Sequence, residues 1–389
     1  ERSSSALLPV YAQLPVHPVR GQGSWLFDEN GQRWLDAYGG HAVASTGHCH
    51  PKVVQAISAQ AAQLLFYSTA LPHPGRERLA EAIVSHCPSA LRRVFLVNSG
   101  AEANENALHL ARKITGRQHF VSIEGGWHGR TAATLAVTDG EKYMAGARRA
   151  GIPLSVKVPW NNPDALEQAV SESIAGVILE PVQGLTGARD LPVEVLQAAR
   201  AACDRHGALL IFDEVQCGVG RCGAFTAAES FGVIPDVLTL AKGLASGLPI
   251  SAVITTDKVA SHIKSGDLGS TFGGGPVPCA AALATLQVID QERLIENAIT
   301  IGTFLADGAR KLGKDKVVAT QGRGLLLGLR LVKPAAEVQT ALLRHHIISG
   351  TSSDPQVLRL MPPLSFSHAE AELVLSALAE VLYAGKVVE

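Results

Sequence analysis

The sequence predicts an α/β protein built on a mainly parallel, wound sheet, and three observations carry that prediction. Between about residue 94 and residue 256, seven short aliphatic runs alternate with longer helix-like stretches. Each run is apolar at successive positions, the pattern of a strand covered on both faces. The chain has 389 residues, 47% of them hydrophobic and 18% charged, enough for a wide core, more than one domain and a subunit interface.

Along the chain, residues 25–36 read as two short strands around Asn30-Gly31, a dipeptide suited to a tight hairpin turn. Pro51, just after His48-Cys49-His50, marks a helix start. The candidate sheet strands are 94–97, 120–123, 156–158, 176–179, 208–212, 237–240 and 252–255. After about residue 285, amphipathic helical stretches precede probable strands at 324–331 and 357–360. The expected organisation is a large domain over 51–285 and a smaller α+β domain made by both termini, 1–50 and 286–389. No repeat, low-complexity tract or long linker separates them, so they are expected to share a cleft.

Charge and composition exclude several classes. Lys plus Arg total 34 and Asp plus Glu 35, for a net charge of −1, so there is no broad basic surface for nucleic acid. The apolar runs stop far short of the ~18 residues of a membrane helix, and no membrane association is expected. Glu1-Arg2-Ser3-Ser4-Ser5 leads into no apolar stretch before Pro9, which predicts no secretory signal. Six cysteines are too sparse for a disulfide scaffold, and a cytoplasmic protein is expected.

Several motifs read as structure. Gly218-Val219-Gly220-Arg221-Cys222-Gly223 has a dinucleotide-binding spelling, but five residues separate it from the preceding strand. Residues 308–314 resemble a phosphate loop, except that Asp315 stands where a magnesium-binding hydroxyl belongs, so a charged helix end is expected. His48, Cys49 and His50 alternate in direction and lack a second cluster, so no metal site is expected. Cys217 and Cys222 read as small buried residues.

Other signals fall at the carboxyl ends of strands, where wound sheets bind ligands. Residues 98–105 begin with Asn98-Ser99-Gly100-Ala101 and open a helix, either a phosphate site or an ordinary capped terminus. Asp213 follows a central strand, where a buried carboxylate needs a charged partner, whether ligand or protein. Lys242 stands just beyond another strand, either solvated or, in a partly dry pocket, a Schiff-base nucleophile. With Trp127 after the 120–123 strand, these supply the anchor, ring stack, pyridinium partner and reactive amine that pyridoxal phosphate requires.

In this combination the chain resembles the class III aminotransferases, pyridoxal-phosphate enzymes of fold type I, and within them the N-acetylornithine aminotransferase group. The likeness runs from Asp28-Glu29-Asn30-Gly31 through Gly47-His48-Cys49-His50-Pro51 to Arg359-Leu360-Met361-Pro362-Pro363-Leu364. It implies that Ser99, Gly100 and Ala101 bind the cofactor phosphate, and that Trp127 stacks on the ring. Asp213 and Gln216 would hold the ring nitrogen and the phenolic-oxygen side, with Lys242 bonding the cofactor covalently. Thr271 matches a residue that reaches the phosphate of the neighbouring subunit, which implies a homodimer with shared sites. Arg130 and Arg359 match substrate-carboxylate arginines, and Glu180, Ser270 and His41 fall in the substrate pocket.

The implied reaction takes an amine from N-acetylornithine, or a similar acylated diamino acid, to 2-oxoglutarate, a step of arginine biosynthesis. Ornithine, acyl-lysine or another ω-amine, and internal transfer by an aminomutase, are the alternatives within the fold. A nicotinamide oxidoreductase is the alternative outside it. Two positions depart from the family pattern. Leu185 replaces a glutamate that in relatives masks the second arginine, so Arg359 is expected to stay open to carboxylates. His41 stands where relatives carry Ile or Tyr.

Overall fold

A computed structural model of the chain describes residues 6–384. Residues 1–5, which bear on the expected lack of a secretory signal, lie outside the described residues. Seven strands form the central sheet in the order Leu91–Val97, Ser251–Thr256, Val237–Leu240, Leu209–Asp213, Ile174–Leu179, His119–Ile123 and Val156–Val158. Each corresponds to an expected run. Six point the same way, and Ser251–Thr256 alone is antiparallel to both of its neighbours.

The apolar runs have the burial their composition implies, every residue of Ile174–Leu179 and of Leu209–Asp213 being buried. Helix Gly100–Thr115 crosses the middle of the sheet on one face, and helix Val193–His206 packs on strands Ile174–Leu179 and Leu209–Asp213. Ser99 caps the first helix by accepting the Glu102 N–H, and Gly116 ends it in the left-handed conformation.

The N-terminal hairpin forms as expected, Trp25–Asp28 pairing with Arg33–Asp36, with Asp28 Oδ1 accepting the N–H groups of Asn30 and Gln32 across the turn. A further strand, Pro18–Gln22, adds to its edge. Ile347–Ile348 pairs in parallel with Leu35 and Asp36, joining the two ends of the chain in one sheet. A second four-stranded sheet contains Val317–Arg323, Leu326–Leu331, Val357–Leu360 and Gly350–Thr351.

Pro51 opens helix Pro51–Gln63, and helix Leu294–Lys311 ends on Arg310 and Lys311, the charged helix end expected there. Gly218 to Gly223 lie in turns beyond strand Leu209–Asp213. Among the described residues no cluster of metal-ligating side chains occurs, and no helix is long and apolar enough to cross a membrane.

Candidate active site

Five strands of the central sheet deliver side chains from their carboxyl ends into one cavity of about 800 Å³. Leu91–Val97 leads to Asn98 through Ala101, His119–Ile123 to Trp127 and Arg130, and Ile174–Leu179 to Glu180. Leu209–Asp213 ends on Asp213, with Gln216 just beyond, and Val237–Leu240 leads to Lys242. All of these line the cavity, together with His41, Leu185 and Arg359.

Asp213 is 2% exposed and sits in a cage of donors. Its Oδ2 accepts from Asn104 Nδ2 at 2.7 Å and His128 Nδ1 at 2.8 Å, and its Oδ1 from the Val215 N–H at 3.0 Å. Asn104 is fixed in turn by donating to the His128 carbonyl and accepting from Thr239 Oγ1. These bonds hold the Asp213 carboxylate in one geometry, leaving its oxygens with fixed directions for a further donor. His128 and Asn104 are thus the protein partners that hold the buried carboxylate.

Lys242 opens a 3₁₀ turn, Lys242–Ala245, with φ 44°, a left-handed conformation costly for a side-chain-bearing residue. The turn is braced from behind, Ser45 Oγ donating to the Gly243 carbonyl at 2.6 Å. Among the described residues the amine makes no hydrogen bond or ion pair. Burial pushes its pKa below the ordinary lysine value, opposed by the carboxylates of Asp213 and Glu180 and assisted by Arg359. Such an amine is available as a nucleophile and base.

Glu180 accepts the backbone N–H groups of Trp127 at 2.8 Å and Gly184 at 3.1 Å, tying two cavity loops together. Burial, then the nearby Asp213, pushes its carboxyl up from 4.5 to about 7. The folded chain therefore binds this proton more tightly than the unfolded chain, and stability falls as pH rises from about 4.5 to about 7. In denaturant melts of the cofactor-free protein, Glu180→Gln should remove up to about 3 kcal/mol of that pH-dependent loss. Equal pH slopes in variant and wild type would contradict the assignment, because Glu214, which is shifted the same way, remains in both.

Arg359 is 6% exposed and has no carboxylate in ion-pair range among the described residues. Three neutral oxygens hold it: Nε donates to the Thr351 carbonyl, Nη1 to the Gly184 carbonyl, and Nη2 to Tyr38 Oη at 2.7 Å. Five N–H groups less these three leaves one on each terminal nitrogen for a bidentate anion. Arg130 is exposed, its guanidinium 5.2 Å from the centroid of the Trp127 ring and 5.6 Å from that of Tyr11.

Two expected site residues do not join this cavity. Ser270 is engaged with Glu102 Oε1 and Asn98 Nδ2, and Thr271 is exposed outside it. Conversely, Asn104, His128 and Tyr38 support the site without having been singled out from the sequence. Asn104 falls within the segment 98–105 and His128 beside Trp127, so proximity to motif residues was the available signal.

The residues suit a cofactor with a phosphate, an aromatic ring nitrogen and a carbonyl carbon. The N-terminus of helix Gly100–Thr115 opens on the cavity, and at Gly100 a Cβ would lie 2.6 Å from Val215 Cγ1, so only glycine gives this close approach. Among the described residues Gln216 Oε1 is buried without a partner, and the Lys242 amine beside it on the cavity makes no hydrogen bond. The Aminotransferase class-III family profile matches residues 9–382. The chain belongs to the class III aminotransferases.

This aminotransferase is 40% identical to the acetylornithine aminotransferase of Nitrosomonas europaea, over 97% of this chain and 98% of that protein. It is 42% identical to that of Streptomyces coelicolor, over 98% and 94%. The solved ornithine aminotransferase of Toxoplasma gondii, described with pyridoxal phosphate partly occupying its active site, superposes with a TM-score of 0.89 at 30% identity. That likeness covers 97% of this chain and 92% of the other. The aminotransferase is a fold type I enzyme that uses pyridoxal 5′-phosphate.

Proposed function

We propose that this aminotransferase moves the terminal amine of N-acetylornithine, or of a similar acylated diamino acid, to 2-oxoglutarate, giving the semialdehyde and glutamate. The observation that carries this reading is the pair of guanidinium groups, exposed Arg130 and buried Arg359, on the same cavity as Lys242 and Asp213. Two planar forks suit substrates whose carboxylates must be held while the amine is presented to Lys242.

Pyridoxal phosphate, when bound, supplies an electron sink next to the donor carbon. Lys242 Nζ would bond the cofactor, and its free amine would take and hold the proton of that carbon. Asp213 would accept from the ring N–H and keep it protonated, and Trp127 would cover the ring face. Ser99, Gly100 and Ala101 would offer the phosphate their helix-end N–H groups, and Gln216 would hold the phenolic-oxygen side. Glu180 holds the loops that carry Trp127 and Gly184, and so the floor of the substrate pocket.

Thr271, outside the cavity of its own chain, is assigned to the site of a second copy, with Ser270 beside it. Support comes from the exposed apolar surface next to it, where Phe66 and Phe272 have ring centroids 5.1 Å apart and Leu65 and Leu71 are largely exposed. The homodimer is part of the proposal.

A donor panel with 2-oxoglutarate, followed by glutamate formation, tests the substrate. N-acetylornithine should give the highest kcat/KM, and a clear preference for ornithine, or no glutamate from any donor, would overturn the reading. Leu185→Glu offers Arg359 an acidic partner where none lies in ion-pair range among the described residues. It should slow the 2-oxoglutarate half-reaction relative to the amine half-reaction by about tenfold; an unchanged ratio of single-turnover rates would refute the role of Leu185.

A further inference from the structure

The segment Gly39–Ala42 is a left-handed turn, with φ of 58°, 57°, 67° and 63° at its four successive residues. Two of the four, His41 and Ala42, carry side chains, at a cost of about 1–2 kcal/mol each. Such a turn persists only where its surroundings fix it. Asp36 Oδ1 accepts the N–H groups of Tyr38 and Gly39 at 2.9 and 2.8 Å, and Asp36 Oδ2 pairs with His48 Nε2 at 2.8 Å. Gly39 lies against the Met361 carbonyl so closely that a Cβ would stand 2.7 Å from its oxygen.

The product of this strain is the direction of one side chain. His41 lines the cavity with Lys242 and Arg359, and its imidazole makes no hydrogen bond with any described residue. Its ring meets the edge of Tyr38, 4.8 Å between centroids, and the Tyr38 hydroxyl is the acceptor that holds Arg359. Among the described residues an imidazole without a hydrogen bond therefore stands beside a guanidinium with two N–H groups left.

We propose that His41 is a proton-linked ligand for the substrate carboxylate that Arg359 receives, neutral with a monocarboxylate amine donor and protonated when a dicarboxylate acceptor fills the site. This rests on the reading of a 2-oxo dicarboxylate as the acceptor. The charged and titratable groups facing His41 are Arg359, Lys242, Asp36 and Tyr38. Burial, then the cations of Arg359 and Lys242, hold its pKa below the usual histidine value, with Asp36 opposing. Near neutral pH the ring is consequently uncharged. A carboxylate on Arg359 offsets that guanidinium and adds a negative charge within reach, which favours the imidazolium. Dicarboxylate binding then takes up a proton from solvent onto a His41 ring nitrogen, and no covalent bond changes.

The test is calorimetric titration of the holoenzyme with glutarate, which cannot transaminate, in buffers of different ionisation heat. Wild type should take up a fraction of a proton at pH 7.5, and its glutarate affinity should rise about tenfold from pH 8 to pH 6. His41→Asn, a residue that tolerates the left-handed turn, should lose both. His41→Lys, a fixed cation, should bind tightly at both pH values. Zero proton uptake by wild type, or the same uptake and slope in His41→Asn with its visible cofactor band intact, overturns the proposal. Glutarate binding with uptake at His41 but no glutamate from 2-oxoglutarate sinks only the acceptor reading; glutamate formation with no uptake sinks only this one.

Discussion

Lys242→Ala is expected to lower transamination by on the order of 10⁴-fold or more and to abolish the covalent attachment of the cofactor, read as loss of its visible absorbance band after gel filtration. The loss should be specific to chemistry. Lys242 makes no hydrogen bond or ion pair among the described residues, and burial disfavours its charged form, so no packing partner is orphaned by removing the amine. Alanine inherits the φ of 44° without adding a clash, and the 3₁₀ turn remains tied to Ser45. The melting temperature of the cofactor-free variant should therefore equal or exceed that of wild type. Residual activity within tenfold of wild type would remove Lys242 from the proposed mechanism, and an unfolded variant would show instead that the amine has a structural partner.

The same contrast between local and long-range information decides what could be read from the chain. The seven sheet strands were legible because each is apolar along its length, as in Ile174–Leu179, and such runs have few alternatives to a doubly covered strand. Boundaries were less so: Leu91–Val97 begins three residues before the expected run, since Arg92 and Arg93 at the exposed end break the pattern. Strand Val317–Arg323 escaped notice because it exposes Val318 and passes through Gly322, and only pairing with Leu326–Leu331 makes it a strand.

In the site, the rule that ligands lie beyond strand ends pointed to Asp213, Lys242 and Ser99 without any contact being known. Tyr38, Asn104 and His128 were not reachable that way. Their roles come from partners 321, 109 and 85 residues away, Arg359 for the first and Asp213 for the other two. The Leu185 departure likewise carried half of its meaning. It led to the expectation of an Arg359 without an acidic partner, but the three neutral oxygens that hold it, including the Tyr38 hydroxyl, depend on how strand Val357–Leu360 meets the N-terminal turn.

Asp213→Asn should cost both rate and stability, for separable reasons. The substitution keeps the side-chain shape but leaves one acceptor oxygen where Asp213 offers two. If the amide oxygen faces Asn104 and His128, its NH₂ group opposes the Val215 N–H; if it faces Val215, the NH₂ group confronts the donors Asn104 Nδ2 and His128 Nδ1. His128 could relieve the second arrangement only as the tautomer with its proton on Nε2, which is buried with no partner among the described residues. Either way a buried donor is left unmet, at a cost of about 1–3 kcal/mol in denaturant unfolding. The rate effect comes from the ring nitrogen. A neutral amide in place of the carboxylate no longer favours the protonated ring, and kcat/KM for both half-reactions should fall by about 10²–10⁴-fold. Because the stability loss is shared by free and cofactor-bound protein while the rate loss is not recovered at saturating cofactor, single-turnover rates at fixed occupancy separate the two. A variant that unfolds earlier yet reacts within threefold of wild type would leave Asp213 a structural residue, and the electron-sink role would then have to rest on another group in the cavity.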